Sequence, residues 1–126
     1  MWFDDFPEQC PPSDARQDTL EVFRLVSNIP PRADDFLATK REFPHRNFAD
    51  DVLCNAHGVS VFQKHDDILK KREHFKKALG HKKIAVGTIT QDDGLVKETG
   101  GLSHVTWWLQ TDEPHKTFKE VQNVTK

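Results

Sequence analysis

The run LSHVTWWLQ, at residues 102–110, constrains the fold more than any other part of the chain. It is short, rich in β-branched and aromatic residues, and preceded by two glycines, which predicts a β-strand. Alternate residues of a strand point to opposite faces. One face then carries Val105, Trp107 and Leu109, and the other carries Leu102, His104, Thr106 and Trp108. A histidine inside so apolar a strand needs a partner or a function, because burying an unpaired polar group is costly.

The length and composition indicate one folded domain. The chain has 126 residues, which suits a single core. Apolar residues make up only 36% of it, but nine Phe and three Trp can each bury a large area. The formal net charge of −2 does not predict nucleic-acid binding. The basic segment at 63–83 is typical of a solvated helix face and carries no RNA or DNA motif, so we do not expect a nucleic-acid partner.

The two cysteines, Cys10 and Cys54, are far apart, and neither belongs to a CxxC motif. The sequence shows no leader peptide and no long apolar run. These features predict a cytoplasmic protein with no membrane partner. They favour two free thiols over a disulfide, although the sequence alone leaves a bridge open.

Proline and charge patterns divide the chain into an irregular N-terminal arm, residues 1–20, and a single domain, residues 21–126. The arm is expected to pin its aromatic residues, Trp2, Phe3 and Phe6, onto the domain. Strands are predicted at 21–27, 58–62, 83–90, 95–99 and 102–110, with 95–99 returning as a hairpin partner after the Asp-Asp-Gly turn. Short helices are expected at 32–38 and 113–121, a loop at 39–50, and either a helical turn or an extended segment at 51–57.

The most regular helical pattern covers residues 66–79. Ile68, Leu69, Phe75, Ala78 and Leu79 form an apolar stripe at helical spacing. Gly80 is placed to act as the C′ residue. Short helices followed by a late cluster of antiparallel strands are typical of the α+β class. We therefore predict one α+β domain with a twisted, mostly antiparallel sheet and this helix packed against it.

Three predicted strands each carry a polar residue on a largely apolar face, namely Arg24, Ser60 and His104. Arginine offers a donor fork that matches phosphate or carboxylate. Histidine can bind a nucleotide hydroxyl or move a proton near neutral pH. Trp108, on the face of His104, could stack on a planar ring. If these faces line one cleft, the set predicts a site for an anionic or nucleotide-like ligand.

A structural interpretation of the same residues stays open. Arg24 can instead pair with Asp34 or Asp35, and His104 can satisfy a backbone group, because buried polar groups are usually satisfied structurally.

Metal binding and nucleophilic catalysis have weaker support. Cys54-x-x-His57 has ligand-like spacing, but a structural zinc site usually shows two such pairs, so we expect no metal. Cys54 or Ser60 as a nucleophile would need a neighbouring base, and no motif fixes that geometry.

The order FRLVSN, IPPRADDF, CNAHGVSVF, IAVGTIT, DDG and SHVTWW, across residues 22–108, resembles a small family of uncharacterised bacterial proteins. The chain also resembles, more weakly, ADP-ribosyltransferase-like folds. Those folds place an Arg or His on an early strand, a Ser or Tyr-type residue on a following strand, and often a Glu near the end. Arg24 and Ser60 match the first two positions, and Glu98 stands nearest to the third.

Two function hypotheses follow. The first is a small cytoplasmic bacterial binding or interaction module that needs no cofactor and recognises a protein partner or a small anionic ligand. The second, implied by the weaker resemblance, is an ADP-ribosyltransferase-like enzyme or degenerate relative that binds NAD. In that case Arg24 would contact phosphate, Ser60 would position the ribose, and Glu98 or His104 would lie nearest the chemistry. The sequence does not decide whether the protein is an enzyme and identifies no catalytic residue. The ligand-binding candidates are Arg24, Ser60, His104, Trp108 and Glu98.

Overall fold

The computed structural model describes residues 6–121, which form a six-stranded antiparallel sheet with short helices packed on it. The strands are β1 (Leu20–Val26), β2 (Val59–Phe62), β3 (Lys83–Ile89), β4 (Gly94–Glu98), β5 (His104–Leu109) and β6 (Lys119–Glu120). The α-helices are α1 (Thr39–Glu42), α2 (Asp50–Ala56), α3 (His65–His74) and α4 (Lys76–Leu79). Two 3-10 helices cover Ala33–Phe36 and Gln91–Asp93. The predicted α+β class is confirmed.

The strands lie in the order β4-β5-β2-β1-β3-β6, so the Trp-rich strand β5 is an interior strand. β1 pairs with β3 along its whole length. Between β1 and β2 the pairing is far shorter, and Phe23 opposite Phe62 is the one register pair that these two described strands share. The sheet therefore consists of two well-paired halves, β4-β5-β2 and β1-β3-β6. We call the narrow junction between them the seam.

One face of the sheet carries the larger core. Trp107, only 1% exposed, lies at its centre. Its ring is 6.4 Å from that of Phe36 and 6.2 Å from that of Phe118, measured between centroids. Val105 and Leu109 are buried in the same cluster, so the face of the strand that carries Val105, Trp107 and Leu109 points into the larger core.

The opposite face is covered by α3, which buries Ile68 against Phe62 and Ile84. The predicted helix over 66–79 is interrupted, because Phe75 leaves helical geometry at φ −110° and ψ 47° and separates α3 from α4. The Phe75 side chain is 47% exposed, so the last part of the predicted stripe does not enter the core. Gly80 has φ −60° and is not the left-handed C′ residue that we expected.

Residues 95–99 do not return as a hairpin partner of β3, so that prediction is wrong. The Asp93 carboxylate accepts hydrogen bonds from the backbone N–H and the hydroxyl of Thr90, at 2.8 and 3.0 Å, and closes a 3-10 turn. Gly94, at φ +140°, then starts β4, which pairs with β5 instead. A turn signal fixes a change of direction but not the strand to which the chain returns.

Segment 39–50, expected to be a loop, contains α1 and the first residue of α2. Segment 51–57 lies almost wholly in α2 and so takes the helical alternative. Both helices begin after alanines, Ala38 and Ala49, which provide no side-chain cap. The usual N-cap signal is therefore missing from the sequence.

Residues 113–121, expected to form a helix, instead make turns and the short strand β6. The hydroxyl of Thr117 donates to the Thr88 carbonyl at 2.9 Å and accepts from the Thr88 N–H at 3.1 Å. Phe118 is buried in the larger core. Contacts to β3 thus outweigh the local helix signal.

Cys10 and Cys54 form a disulfide with their Cα atoms 5.6 Å apart, so the prediction of two free thiols is wrong. The bridge ties the arm to α2 across a sequence separation of 44. Phe6, on the same arm, packs edge-on against His57 at 5.6 Å. Trp2 and Phe3 lie outside the described residues. Within residues 6–121, no helix is both long and apolar enough to cross a membrane.

Candidate functional site

The seam leaves a pocket between the two halves of the sheet. Beyond the pair Phe23–Phe62, the residues of β1 and β2 no longer pair with each other. A pocket of about 340 Å³ opens beside them, between the two strands, α1, α3 and α4. We call it the seam pocket. Its lining consists of Arg24, Leu25, Leu37, Thr39, Glu42, Phe43, Ser60, Phe62, Ile68, Lys71, Ala78, Leu79 and Lys82.

The guanidinium of Arg24 is held by backbone carbonyl groups. Its Nε donates to the Asp35 oxygen at 2.9 Å, Nη1 to the Ser60 oxygen at 2.7 Å, and Nη2 to the Leu37 oxygen at 3.5 Å. A backbone acceptor away from water needs a donor, and here Arg24 supplies it where strand pairing is missing. Among the described residues, Arg24 forms no ion pair with a carboxylate.

The carboxylate of Asp35, one of the two acids considered as a partner for Arg24, is engaged elsewhere. It accepts from the backbone N–H groups of Ser27 and Arg32, both at 2.9 Å, and from the side-chain amide of Asn28 at 3.2 Å. Burial alone would raise the pKa of Asp35, but these donors outweigh it and hold that pKa below its usual value. Asp35 therefore reaches Arg24 through its carbonyl.

The seam pocket carries more positive than negative side chains. Burial lowers the pKa of Arg24 to about 10, against the opposing attraction of Glu42 and Asp35. Arg24 thus stays cationic at neutral pH. Lys71 and Lys82 also line the pocket, where Glu42 is the one acidic side chain among the described lining residues.

Arg24 and Ser60 meet at the seam, but not as side chains on one face. Phe23 lies opposite Phe62, so alternation places the Ser60 side chain on the Phe62 face and the Arg24 side chain on the other. The contact between them runs through the Ser60 carbonyl.

His104 lies next to the seam pocket but is not part of its lining. Its ring packs edge-on against Phe62, with 5.2 Å between centroids. Its Nδ1 lies 3.0 Å from the carbonyl oxygen and 2.9 Å from the hydroxyl of Thr99. Burial lowers the pKa of His104, and Lys71 adds to this, while the Thr99 carbonyl opposes it. The structural interpretation of this histidine matches its contacts.

Trp108 and Glu98 are likewise outside the seam pocket. Trp108 is fully buried, and its indole N–H donates to the Cys54 carbonyl at 2.9 Å, so its ring is not open to a ligand. Glu98 accepts from both terminal nitrogens of Arg16, at 2.7 and 2.9 Å. The Arg16 guanidinium lowers the pKa of Glu98 to about 2. The five candidate residues do not share one cleft.

A second pocket, of about 270 Å³, lies on the side of the larger core. Most of its lining surface is apolar, and we call it the apolar pocket. Its lining consists of Ala33, Asp34, Phe36, Leu37, Ala38, Arg41, His57, Val59, Leu109, Thr111, Asp112 and Pro114.

Several residues of these pockets escaped prediction, above all Lys71, Lys82 and Leu37. Lys71 and Lys82 belong to a basic segment whose spacing alone is typical of a solvated surface. No local signal shows that these two lysines line a pocket.

Residues 6–121 contain no cluster of three or more His, Cys, Asp or Glu side chains placed to hold a metal ion. The Cys54 sulfur is bonded to Cys10, so in this form it cannot act as a ligand or as a nucleophile. No protein-family model, no curated protein and no solved structure matches the chain. The geometry of the two pockets is therefore the basis for assigning a function.

Proposed function

We propose that this protein is a binding module for a small anionic ligand, which it holds in the seam pocket. One observation carries the proposal. The Arg24 guanidinium is fixed by three backbone carbonyls, has no carboxylate partner among the described residues, and lines an open pocket.

The hydrogen bonds of Arg24 leave part of its donor fork available. A guanidinium has five N–H donors, and three are used on the Asp35, Ser60 and Leu37 carbonyls. The two remaining donors can serve the paired oxygens of a carboxylate or phosphate. Three contacts already orient the guanidinium, so binding of a ligand would cost little side-chain entropy at Arg24.

Burial makes an anion at this position favourable. A partly buried cation loses hydration, and Glu42 and Asp35 attract Arg24 without forming an ion pair with it. An anionic ligand would supply a direct ion pair. Lys71 and Lys82 add positive charge on the same pocket, from α3 and from the segment before β3.

The walls define the rest of the ligand. Phe43, Phe62 and Ile68 provide apolar surface beside Arg24. The volume of about 340 Å³ lies at the small end of ligand pockets in proteins, which run from roughly 300 to 1,000 Å³. A compact molecule with one anionic group and an apolar part fits this combination.

Titration calorimetry with sodium butyrate and with inorganic phosphate tests the proposal. We expect saturable binding by the wild-type protein and a loss of about tenfold or more in Arg24→Gln, because a charge-assisted hydrogen bond is removed. Arg16→Gln is the matched control, since Arg16 also carries a guanidinium but pairs with Glu98 outside the pocket. Unchanged affinity in a folded Arg24→Gln variant would contradict the proposal.

A second pair of variants covers the case in which Arg24→Gln disturbs the seam. Lys71 is exposed and lines the pocket, whereas its neighbour Lys70 is exposed and does not. Lys71→Met should weaken anion binding while Lys70→Met leaves it unchanged. Equal effects of the two substitutions would show that binding depends on surface charge in general.

A further inference from the structure

The apolar pocket lies directly beside the seam pocket, and Leu37 forms part of the wall of both. The carbonyl of Leu37 accepts a hydrogen bond from Arg24, while its side chain is 37% exposed. One residue thus stands between the cation of the first pocket and the apolar surface of the second.

A second contact connects the two pockets. The Arg24 guanidinium carbon lies 5.7 Å from the ring centroid of Phe36, and Phe36 lines the apolar pocket. Arg24 thus lines the seam pocket and contacts two residues of the apolar pocket's wall, Leu37 and Phe36.

The charges of the two pockets favour different parts of a ligand. Asp34 and Asp112 both line the apolar pocket, where Arg41 is the one Lys or Arg in the described lining. An anionic head is disfavoured beside two carboxylates, so it belongs with Arg24. The remaining surface, formed by residues such as Val59, Leu109 and Pro114, suits an uncharged apolar group.

The charge balance around Arg24 favours a single negative charge. Arg24, Lys71 and Lys82 line the seam pocket together with Glu42, and the Glu42 and Asp35 carboxylates both attract Arg24. Three positive charges against two negative ones leave room for one more anion. A carboxylate matches this balance better than a doubly charged phosphate does.

We infer that the ligand is an aliphatic carboxylate, with its head at Arg24 and an unbranched tail that passes Leu37 into the apolar pocket. The inference rests on the proposed anion-binding function and adds the ligand class. The tail would cover the side chain of Leu37, a large apolar residue that is exposed between the two pockets.

A chain-length series of sodium carboxylates tests this ligand class. We expect affinity to rise from butyrate through hexanoate and octanoate to decanoate, about threefold to fourfold for each methylene that is fully buried. Calorimetry below the micelle concentration of decanoate measures the series. The same titrations with Arg24→Gln should show weaker binding at every chain length.

A blocking substitution locates the tail. Ala33 is exposed and lines the apolar pocket but not the seam pocket. Ala33→Phe should leave butyrate affinity unchanged and remove most of the gain shown by decanoate. Ala49→Phe, at an exposed alanine that lines neither pocket, is the matched control.

The outcomes separate this inference from the function on which it rests. If butyrate binds through Arg24 but affinity does not rise with chain length, or Ala33→Phe leaves decanoate unaffected, the tail assignment is wrong and anion binding stands. If no carboxylate of any length binds, the proposed function fails as well. Decanoate binding that is equal in Arg24→Gln would overturn the placement of the head.

Discussion

The indole N–H of Trp108 donates a 2.9 Å hydrogen bond to the carbonyl oxygen of Cys54, whose sulfur is bonded to Cys10. A buried ring on an interior strand thereby holds the helix to which the N-terminal arm is attached. Strand, helix and arm form one connected unit, and the disulfide is its covalent part.

Removal of this disulfide should destabilise the protein. For Cys10→Ser/Cys54→Ser we expect a loss of about 2–4 kcal/mol in the free energy of unfolding, because the bridge closes a long loop in the unfolded chain. Urea unfolding of the variant and of the oxidised wild type measures the difference. Wild-type protein in reductant should match the variant. A peptide map without a linked Cys10–Cys54 pair would contradict the prediction.

Truncation of the central core ring should be costly. Trp107→Ala should lower stability by about 3–5 kcal/mol, because Trp107 is fully buried and packs against Phe36 and Phe118. Leu102→Ala is the control, since Leu102 is 67% exposed and its loss should change stability by less than about 0.5 kcal/mol. A loss below about 1 kcal/mol for Trp107→Ala would mean that the core is centred elsewhere.

The close approach of Phe118 to β3 depends on Gly87. A Cβ atom added at Gly87 would lie 2.5 Å from the Phe118 ring. Gly87→Ala should therefore destabilise the protein by about 1–3 kcal/mol, by thermal or urea unfolding, because the buried ring must move. At Gly101 a Cβ would meet nothing within 4 Å, so Gly101→Ala should cost much less. Equal costs at the two glycines would argue against this packing.

The Arg16–Glu98 pair should be visible in acid titration. The Arg16 hydrogen bonds lower the pKa of Glu98 from 4.5 to about 2. The pair's contribution to stability is then present above pH 4.5 and is lost as the pH falls toward 2. Both side chains are well exposed, so the gain is at most about 1 kcal/mol. NMR titration of the Glu98 carboxyl measures this pKa, and Arg16→Gln should return it toward 4.5. A wild-type Glu98 that already titrates near 4.5 would contradict the pair.

The strands could be predicted because their β-branched and aromatic residues favour an extended backbone and are also apolar enough to be buried, as in β5. The break at Phe75 could not be predicted. Ala78 and Leu79 keep the apolar spacing of one continuous helix, although the chain forms two helices there. Arg24 stood out because it interrupts an apolar face. The partners of Arg24 depend on where β1 and β2 stop pairing. Tertiary packing determines that position, and no periodic pattern in the sequence shows it. The disulfide escaped for the same reason.

The seam is the place where strand pairing within the sheet is weakest. One register pair and the hydrogen bond from Arg24 to Ser60 connect the two halves of the sheet along the strand edges. Local opening is easiest where few buried hydrogen bonds must break. A molecule in the seam pocket would lie against Arg24 on β1 and Ser60 on β2, one from each side of this junction. Such a molecule would add contacts across the junction at the place where strand pairing supplies few.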